Sequence, residues 1–239
     1  MRIDKDSWLM HTPIAHRGLW NENIPENTIP AYENAIKHGY ACEIDVYITT
    51  DDQIIVVHDD ELTRLTGVSG VPNEMSLEQI SKLRVLGTEH KIPTLQEVLK
   101  TVDGKVPLLI EIKPTQRKEV VDKTLEILKD YKGEYAIQSF NPKKLHRVKK
   151  LAPHVIRGVL GMPELFKMKK FDLFITKYMP LNFWCKPDFI SYYFGSLPLP
   201  KRKTKNKRVL AWTILSDNDA KTALKNADNI IFENYLPEN

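Results

Sequence analysis

The fold is decided by one stretch of the chain, CEIDVYITTDDQIIVVHD at residues 42–59. Two apolar runs rich in β-branched residues, 42–49 and 54–59, are separated by only a few polar positions. Parallel strands need a crossover of a dozen or more residues, so the second run must fold back on the first. We therefore predict a β-hairpin here, and the second run is set aside from the strands of the main sheet.

Eight apolar runs remain, and stretches with helical character lie between them, which is typical of a parallel sheet with helical crossovers. The runs are residues 13–18, 42–46, 108–113, 136–140, 157–161, 188–192, 209–213 and 229–234. Eight is the number of strands that closes a (β/α)₈ TIM barrel. We predict this α/β fold as a single domain over residues 1–239, with residues 60–106 as a helical insertion between barrel strands 2 and 3.

The composition is that of an ordinary globular protein. The chain has 239 residues, of which 42% are hydrophobic and 28% charged, so it is neither disordered nor fibrous. The N-terminal residues lack the apolar core of a signal peptide, and no run approaches the length of a membrane span. Two cysteines, Cys42 and Cys185, are too few for a disulfide framework or a zinc cluster. We expect a cytoplasmic protein without stable membrane insertion.

Positive charge is concentrated in KRKTKNKR, residues 201–208, which places six cations in eight positions although the net charge is only +4. Such a run is either a solvated loop or a patch that attracts anionic substrates or lipid headgroups. Peripheral contact with a membrane therefore stays open. The run contains no interleaved aromatic residue, so we expect no nucleic-acid partner. The oligomeric state is not indicated by any of these features.

Three carboxylates are expected to converge at the mouth of the barrel. Glu43 and Asp45 are two residues apart on one strand and therefore share a face, and Glu111 and Lys113 do so on the next barrel strand. Crowded carboxylates repel one another, and a hard divalent ion relieves this; all-oxygen ligands favour Mg²⁺ or Ca²⁺. The alternative is that the three are core carboxylates neutralised by Arg17 and Lys113.

Two histidines end neighbouring segments, His16 after the first strand and His58 after the hairpin. Their ordinary pKa values lie near neutrality, so a pair can divide general acid and general base work, whereas each alone could be a structural residue. Arg17 and Lys113 supply the positive charge that grips phosphate oxygens. An anionic metal site beside cations that hold phosphate predicts phosphodiester cleavage.

These residues lie in motifs that follow one another along the chain. The motifs are HRG (16–18), PENT (25–28), E-x-D-V with the following acidic turn (43–52), VVHD (56–59), LTRLT (62–66), EIKP (111–114), QSF (138–140) and AWT (211–213). Their order and spacing resemble those of the glycerophosphodiester phosphodiesterases. The resemblance extends over most of the chain.

The resemblance implies a TIM barrel that hydrolyses small-molecule glycerophosphodiesters, such as glycerophosphocholine or glycerophosphoethanolamine, to sn-glycerol 3-phosphate and an alcohol with one divalent cation, Mg²⁺ or Ca²⁺. By position, its metal ligands match Glu43, Asp45 and Glu111, and its acid/base pair matches His16 and His58. Its phosphate contacts match Arg17 and Lys113, and the aromatic lining of the glycerol side matches Phe140 and Trp212, with ordinary barrel packing as the alternative for Phe140.

Some features stay open at this level. The family's last strand commonly ends in T-D or T-N followed by proline, whereas this chain has Phe232 and Glu233 there, which affects substrate choice at that rim. The nucleophile is either water or the substrate's own 2-hydroxyl. An alternative function is a lysophospholipase D type of hydrolysis at a membrane surface. Residues 201–208 and the LNFW at 181–184 would then contact the membrane. A barrel that only binds a phosphorylated ligand is a further alternative.

Overall fold

The computed structural model describes residues 3–114, 117–162, 174 and 176–237. The chain divides into two compact units, one made of Met1–His16 with Ala136–Asn239 and the other of Arg17–Tyr135. All nine predicted strands are formed in the part of the chain that is described. They are β1 (Ile14–Ala15), β2 (Ala41–Ile48), β3 (Ile54–Val56), β4 (Leu108–Ile112), β5 (Tyr135–Ser139), β6 (Arg157–Gly161), β7 (Phe189–Tyr193), β8 (Arg208–Ile214) and β9 (Asn229–Phe232).

The helices of the described residues alternate with most of these strands. They are α1 (Trp8–His11), α2 (Ile29–His38), α3 (Thr63–Thr66), α4 (Leu77–Ser81), α5 (Leu95–Val102), α6 (Glu119–Leu128), α7 (Pro142–Leu151), α8 (Asn182–Cys185), α9 (Lys201–Thr204) and α10 (Asp217–Ala223). None of the helices in these described ranges has the length and apolarity needed to cross a bilayer. Residues 201–204 of the basic run, for which a solvated loop was one reading, form the short helix α9.

In the unit Arg17–Tyr135, β2 is the central strand. It pairs in parallel with β4 and antiparallel with β3, so the predicted hairpin is confirmed. Every residue of β2 is buried, which explains its nearly continuous apolar run. The short helices α3 and α4 pack against the hairpin through a buried apolar cluster that includes Tyr47, Ile55 and Leu65. The predicted helical insertion before β4 is therefore present.

In the other unit, six strands pair in parallel in the order β1, β9, β8, β7, β6, β5. The helices between them begin at predictable caps. Asn141 accepts a hydrogen bond from Lys143 N at the start of α7, and Ser216 accepts one from Asp219 N at the start of α10. The register of β1 against β9 places Ala15 opposite Phe232, so the residues that follow each strand are neighbours. That a single domain comprises both units stays a prediction.

Candidate active site

The three predicted carboxylates meet at one place in the unit Arg17–Tyr135. Asp45 on β2 lies directly opposite Glu111 on β4, and Glu43 is on the same face two residues earlier. Their exposed fractions are 1%, 6% and 1%, respectively. One carboxylate oxygen of each lies within 4.8 Å of the corresponding oxygens of the other two. Strand alternation and parallel pairing together are sufficient to produce this cluster.

Lys113 lies against the cluster. Its Nζ is 3.2 Å from Asp45 Oδ1 and 3.3 Å from Glu111 Oε1, and the side chain is almost completely buried. Burial by itself would lower the pKa of Lys113, but the facing carboxylates raise it above its ordinary value, so the ammonium stays charged. When all three are ionised, the carboxylates and this ammonium together carry a net charge of −2, which is the charge that a divalent cation neutralises.

Crowding and burial raise the pKa values of two of the carboxylates. Burial, together with the charges of Asp45 and Glu111, raises the pKa of Glu43 well above its ordinary value. Burial also raises the pKa of Glu111, with Lys113 opposing the shift. Glu111 Oε1 is buried and faces the ammonium of Lys113 at 3.3 Å. A donor set made only of carboxylate oxygens fits a hard divalent cation.

The turn of the PENT motif orients one of these ligands. Asn27 donates from Nδ2 to Asp45 Oδ2 over 3.0 Å, and its own Oδ1 accepts a hydrogen bond from Tyr32 OH on α2. Thr28 Oγ1 donates to Pro25 O and closes the turn. Asn27 has a positive φ of 53° and is 2% exposed, so its conformation is fixed by its surroundings. The sequence motif contained this residue, but its contact with Asp45 was not foreseen.

Arg17 is fixed beside the cluster by its backbone. Its N–H donates to Glu43 Oε2 over 3.1 Å, and its guanidinium donates from Nη1 to Glu26 Oε1 over 2.8 Å. This residue has a positive φ of 60° and is followed by Gly18 with φ 77°. A Cβ at Gly18 would lie 3.0 Å from the Cβ of Ala31, so only glycine lets the strand end approach α2 this closely.

His58 stands at one end of a chain of charged side chains. Its Nδ1 is 3.0 Å from Asp59 Oδ1, and Asp59 also accepts hydrogen bonds from Arg64 Nε at 2.6 Å and Nη2 at 2.9 Å. Arg64 Nη2 donates to Glu26 Oε1 over 2.6 Å, and the same oxygen accepts from Arg17. Although burial opposes it, the hydrogen bonds from His58 and Arg64 hold the pKa of Asp59 well below its usual range.

In the other unit, His16 has a carboxylate partner of its own. Its Nδ1 is 2.6 Å from Glu233 Oε2, at the residue that follows β9. A carboxylate on Nδ1 fixes the tautomer and orientation of an imidazole. The departure from the family pattern at Phe232 and Glu233 thus provides a partner for His16. The only sequence signal was an acidic residue directly after the last strand.

The two aromatic candidates, Phe140 and Trp212, are neighbours in that same unit. Their ring centroids are 6.0 Å apart with an interplanar angle of 87°, and the ring centroid of Tyr193 lies 6.1 Å from that of Trp212. The buried Nε1 of Trp212 has no hydrogen-bond partner within the described residues. Packing between Phe140 and Trp212 is therefore present, and the indole N–H is a buried donor without a protein acceptor among the described residues.

Comparison with known proteins gives a family and a fold. The model of the glycerophosphoryl diester phosphodiesterase family matches residues 16–234. A glycerophosphodiester phosphodiesterase of Caldanaerobacter subterraneus is 32% identical over 233 residues, which are 91% of this chain and 92% of that protein. Lysophospholipase D GDPD1 of Homo sapiens is 33% identical over 135 residues, 51% of this chain and 42% of that protein.

Solved structures include a phosphodiesterase of Oleispira antarctica in complex with the product sn-glycerol-3-phosphate. The two sequences are 23% identical. The superposition includes 95% of this chain and 94% of the other, with a TM-score of 0.81. This likeness confirms the predicted fold, an eight-stranded parallel (β/α)₈ barrel with one additional strand.

Proposed function

The chain belongs to the glycerophosphoryl diester phosphodiesterase family, and from this premise we propose that it hydrolyses glycerophosphodiesters with the help of a divalent cation. The substrates are diesters such as glycerophosphocholine and glycerophosphoethanolamine, and the products are sn-glycerol 3-phosphate and an alcohol. The observation that carries the proposal is the buried cluster of Glu43, Asp45 and Glu111 with Lys113 against it. Its net charge of −2, when all three carboxylates are ionised, calls for a cation, and its cationic neighbours suit a phosphate.

In this proposal Glu43, Asp45 and Glu111 hold Mg²⁺ or Ca²⁺, and Asn27 keeps Asp45 in place. The bound ion supplies Lewis-acid stabilisation of charge on the phosphoryl group. Lys113 Nζ, held against two of the carboxylates, presents a fixed positive charge to a non-bridging phosphoryl oxygen. We assign the same role to the guanidinium of Arg17, which Glu26 orients.

We assign proton transfer to the two histidines. Each has a carboxylate on Nδ1, Glu233 for His16 and Asp59 for His58, so the Nε2 nitrogens are the groups that exchange protons with the substrate. His16 takes the proton of the nucleophile, which is water or the glycerol 2-hydroxyl; in the second case a cyclic phosphate forms first, and water then opens it to sn-glycerol 3-phosphate. His58 gives a proton to the alcohol oxygen as its bond to phosphorus breaks. A carboxylate partner also stabilises the imidazolium that forms during transfer.

Phe140 and Trp212 are proposed to contact the glycerol part of the substrate. The support is their edge-to-face packing and the unpartnered indole N–H of Trp212, which can donate to a hydroxyl group. Tyr193, which packs on Trp212, would then hold the indole in position.

A second candidate function is lysophospholipase D-type hydrolysis of lysophospholipids. It is favoured by the partial likeness to the human lysophospholipase D and by Phe183, which is 75% exposed beside the basic segments of its unit. Turnover of glycerophosphocholine compared with lysophosphatidylcholine, with and without vesicles, separates the two functions. Preference for the acylated substrate would favour the second.

The experiment that tests the main proposal is a coupled assay for sn-glycerol 3-phosphate after treatment of the protein with a chelator. Several glycerophosphodiesters are supplied, and Mg²⁺ or Ca²⁺ is then restored. We expect no release in chelator and release after one ion is added. The matched variant Asp45→Asn keeps the size of the side chain, and we expect it to stay inactive with either ion. Full activity in chelator, or in Asp45→Asn, would contradict the proposal.

A further inference from the structure

One surface of the unit Met1–His16 with Ala136–Asn239 combines dense positive charge with exposed aromatic rings. We call it the basic-aromatic surface; it comprises α7, residues 177–178, α8 and the run 201–207. We propose that this surface binds anionic lipid bilayers. The inference does not depend on the proposed reaction, because lipid binding can be measured without turnover.

The aromatic part consists of three exposed rings. Phe183 on α8 is 75% exposed, Phe174 is 50% exposed and Tyr178 is 48% exposed. The rings of Phe174 and Tyr178 lie 5.3 Å apart. Exposed aromatic groups that cluster rather than scatter mark an interaction site, and aromatic rings are enriched where proteins meet the headgroup region of a membrane.

The positive part is free of acidic residues along two long stretches of sequence. Between Asp188 and Asp217 there is no Asp or Glu, and residues 201–207 of this stretch carry five cations, while Arg208 pairs with Asp228. Residues 141–163 likewise contain no acidic residue, and α7 carries four cations besides the buried Lys144. A surface with this composition attracts anions over a distance set by the ionic strength.

The first group of cations surrounds the ring of Tyr178. Lys177 Nζ lies 5.4 Å and Lys203 Nζ lies 5.6 Å from the ring centroid, and Lys203 also donates to Lys177 O. Burial, followed by the charges of Arg202 and Lys177, lowers the pKa of Lys203. The cations on this side are thus close enough to repel one another, and an anionic ligand would remove the repulsion.

The second group holds α8 against α7. His146 stacks on Trp184 with ring centroids 3.8 Å apart and 9° between the planes, and Lys149 Nζ donates to Trp184 O over 2.9 Å. Burial raises the pKa of the Cys185 thiol, and the charges of Arg157, Lys149 and Lys207 oppose the shift, so the end of the basic run lies near α8. Phe183 is therefore exposed on a short helix that has cations of α7 and of the basic run nearby.

A lipid bilayer fits this combination better than a nucleic acid does. Stacking of bases needs aromatic rings that alternate with cations along a groove, and the run 201–208 contains no aromatic residue. Here the rings and the cations form adjacent patches, so rings can enter the headgroup region while lysines contact anionic headgroups. Each cation near a negatively charged leaflet is expected to change the affinity about fivefold.

The test is co-sedimentation of the full chain with vesicles of phosphatidylglycerol and phosphatidylcholine or of phosphatidylcholine alone. We expect binding to the anionic vesicles that weakens as salt is raised, and much weaker binding to the neutral ones. The double variant Lys201→Ala/Lys205→Ala should bind roughly 25-fold more weakly, since two cations are lost. Phe183→Ser should also bind more weakly, with the difference persisting at high salt.

The matched control is Lys37→Ala/Lys129→Ala, which removes two exposed lysines from the unit Arg17–Tyr135 and should bind as the unchanged protein does. Circular dichroism checks that all variants are folded. Equal binding to neutral and anionic vesicles would overturn the proposal, as would equal losses in the control and test variants. So would binding of a short duplex DNA in place of the vesicles.

Discussion

Lys113→Met is the change that most sharply separates a metal site from a buried ion-pair network. Methionine keeps most of the volume of the side chain but removes the ammonium that lies 3.2 Å from Asp45 and 3.3 Å from Glu111. Without a divalent ion, three buried carboxylates then face one another with no cation directly between them. With a divalent ion bound, the ion supplies positive charge to the carboxylates in place of the ammonium.

The expected size follows from these distances. At an effective dielectric constant of about 20, opposite charges 3.2 Å apart attract by about 5 kcal/mol. Measured losses on removing one partner of a buried pair are about 3–5 kcal/mol. Each kcal/mol lowers the Tm of a chain of this size by about 2–4 °C, so we expect a loss on the order of 10 °C in chelator. In saturating Mg²⁺ or Ca²⁺ the loss should be clearly smaller, because a bound ion supplies positive charge to the same carboxylates and stabilises the folded state.

The assay is thermal unfolding of both proteins in chelator and in each divalent ion. Lys144→Met on α7 serves as the control, because Lys144 is also buried but belongs to the other unit. Its loss of Tm should be the same under all conditions. If Lys113→Met also loses the same Tm with and without divalent ions, the carboxylates form an ion-pair network and the reasoning is refuted.

Three further predictions concern the histidines and their partners. His16→Ala and His58→Ala should each lower kcat by about two to four decades while keeping the stabilisation by divalent ions; unchanged kcat in either contradicts its role. Glu233→Ala should lower kcat at least about tenfold with KM little changed, since it releases the ring of His16; a change confined to KM speaks against orientation. Because the pKa of Asp59 is lowered by folding, its charge stabilises the protein above the unfolded pKa of about 3.9, and this contribution is lost as the pH falls through the lower folded pKa. The Tm difference between the unchanged protein and Asp59→Asn should therefore be largest near neutral pH and shrink in acid; a difference that grows in acid would show that the carboxylate is not stabilised by folding.

The carboxylate cluster was predictable because it depends only on local rules. Alternation along a strand puts Glu43 and Asp45 on one face, and the parallel pairing of β2 with β4 brings Glu111 opposite Asp45. The hairpin was predictable for a similar reason, since the connection before β3 is too short for a parallel crossover. Neither inference required knowledge of loop conformations.

The network around Arg64 could not be predicted in this way. Arg64 reaches Glu26 across 38 positions of sequence, and Arg17 and Asn27 adopt positive φ angles that the sequence does not dictate for these residue types. Such contacts depend on where irregular loops lie in space. The contact of Asn27 with Asp45 belongs to the same class.

The partner of His16 shows a different limit. In the sequence, Glu233 is a departure from the family pattern, because the pattern gives the residue type at a position but not the contacts of its side chain. The structure gives the missing step: Ala15 pairs with Phe232, so the next residue on each strand, His16 and Glu233, are brought side by side. Strand register, once known, makes this contact expected.

The metal site is tested most simply by a calorimetric titration of the chelator-treated protein with Mg²⁺ and Ca²⁺, compared with Asp45→Asn. We expect one of these ions to bind once per chain through Glu43, Asp45 and Glu111, and this binding to be lost in the variant. Binding of equal strength in Asp45→Asn, or no binding of either ion to the unchanged protein, would contradict the claim that these three carboxylates form a metal site.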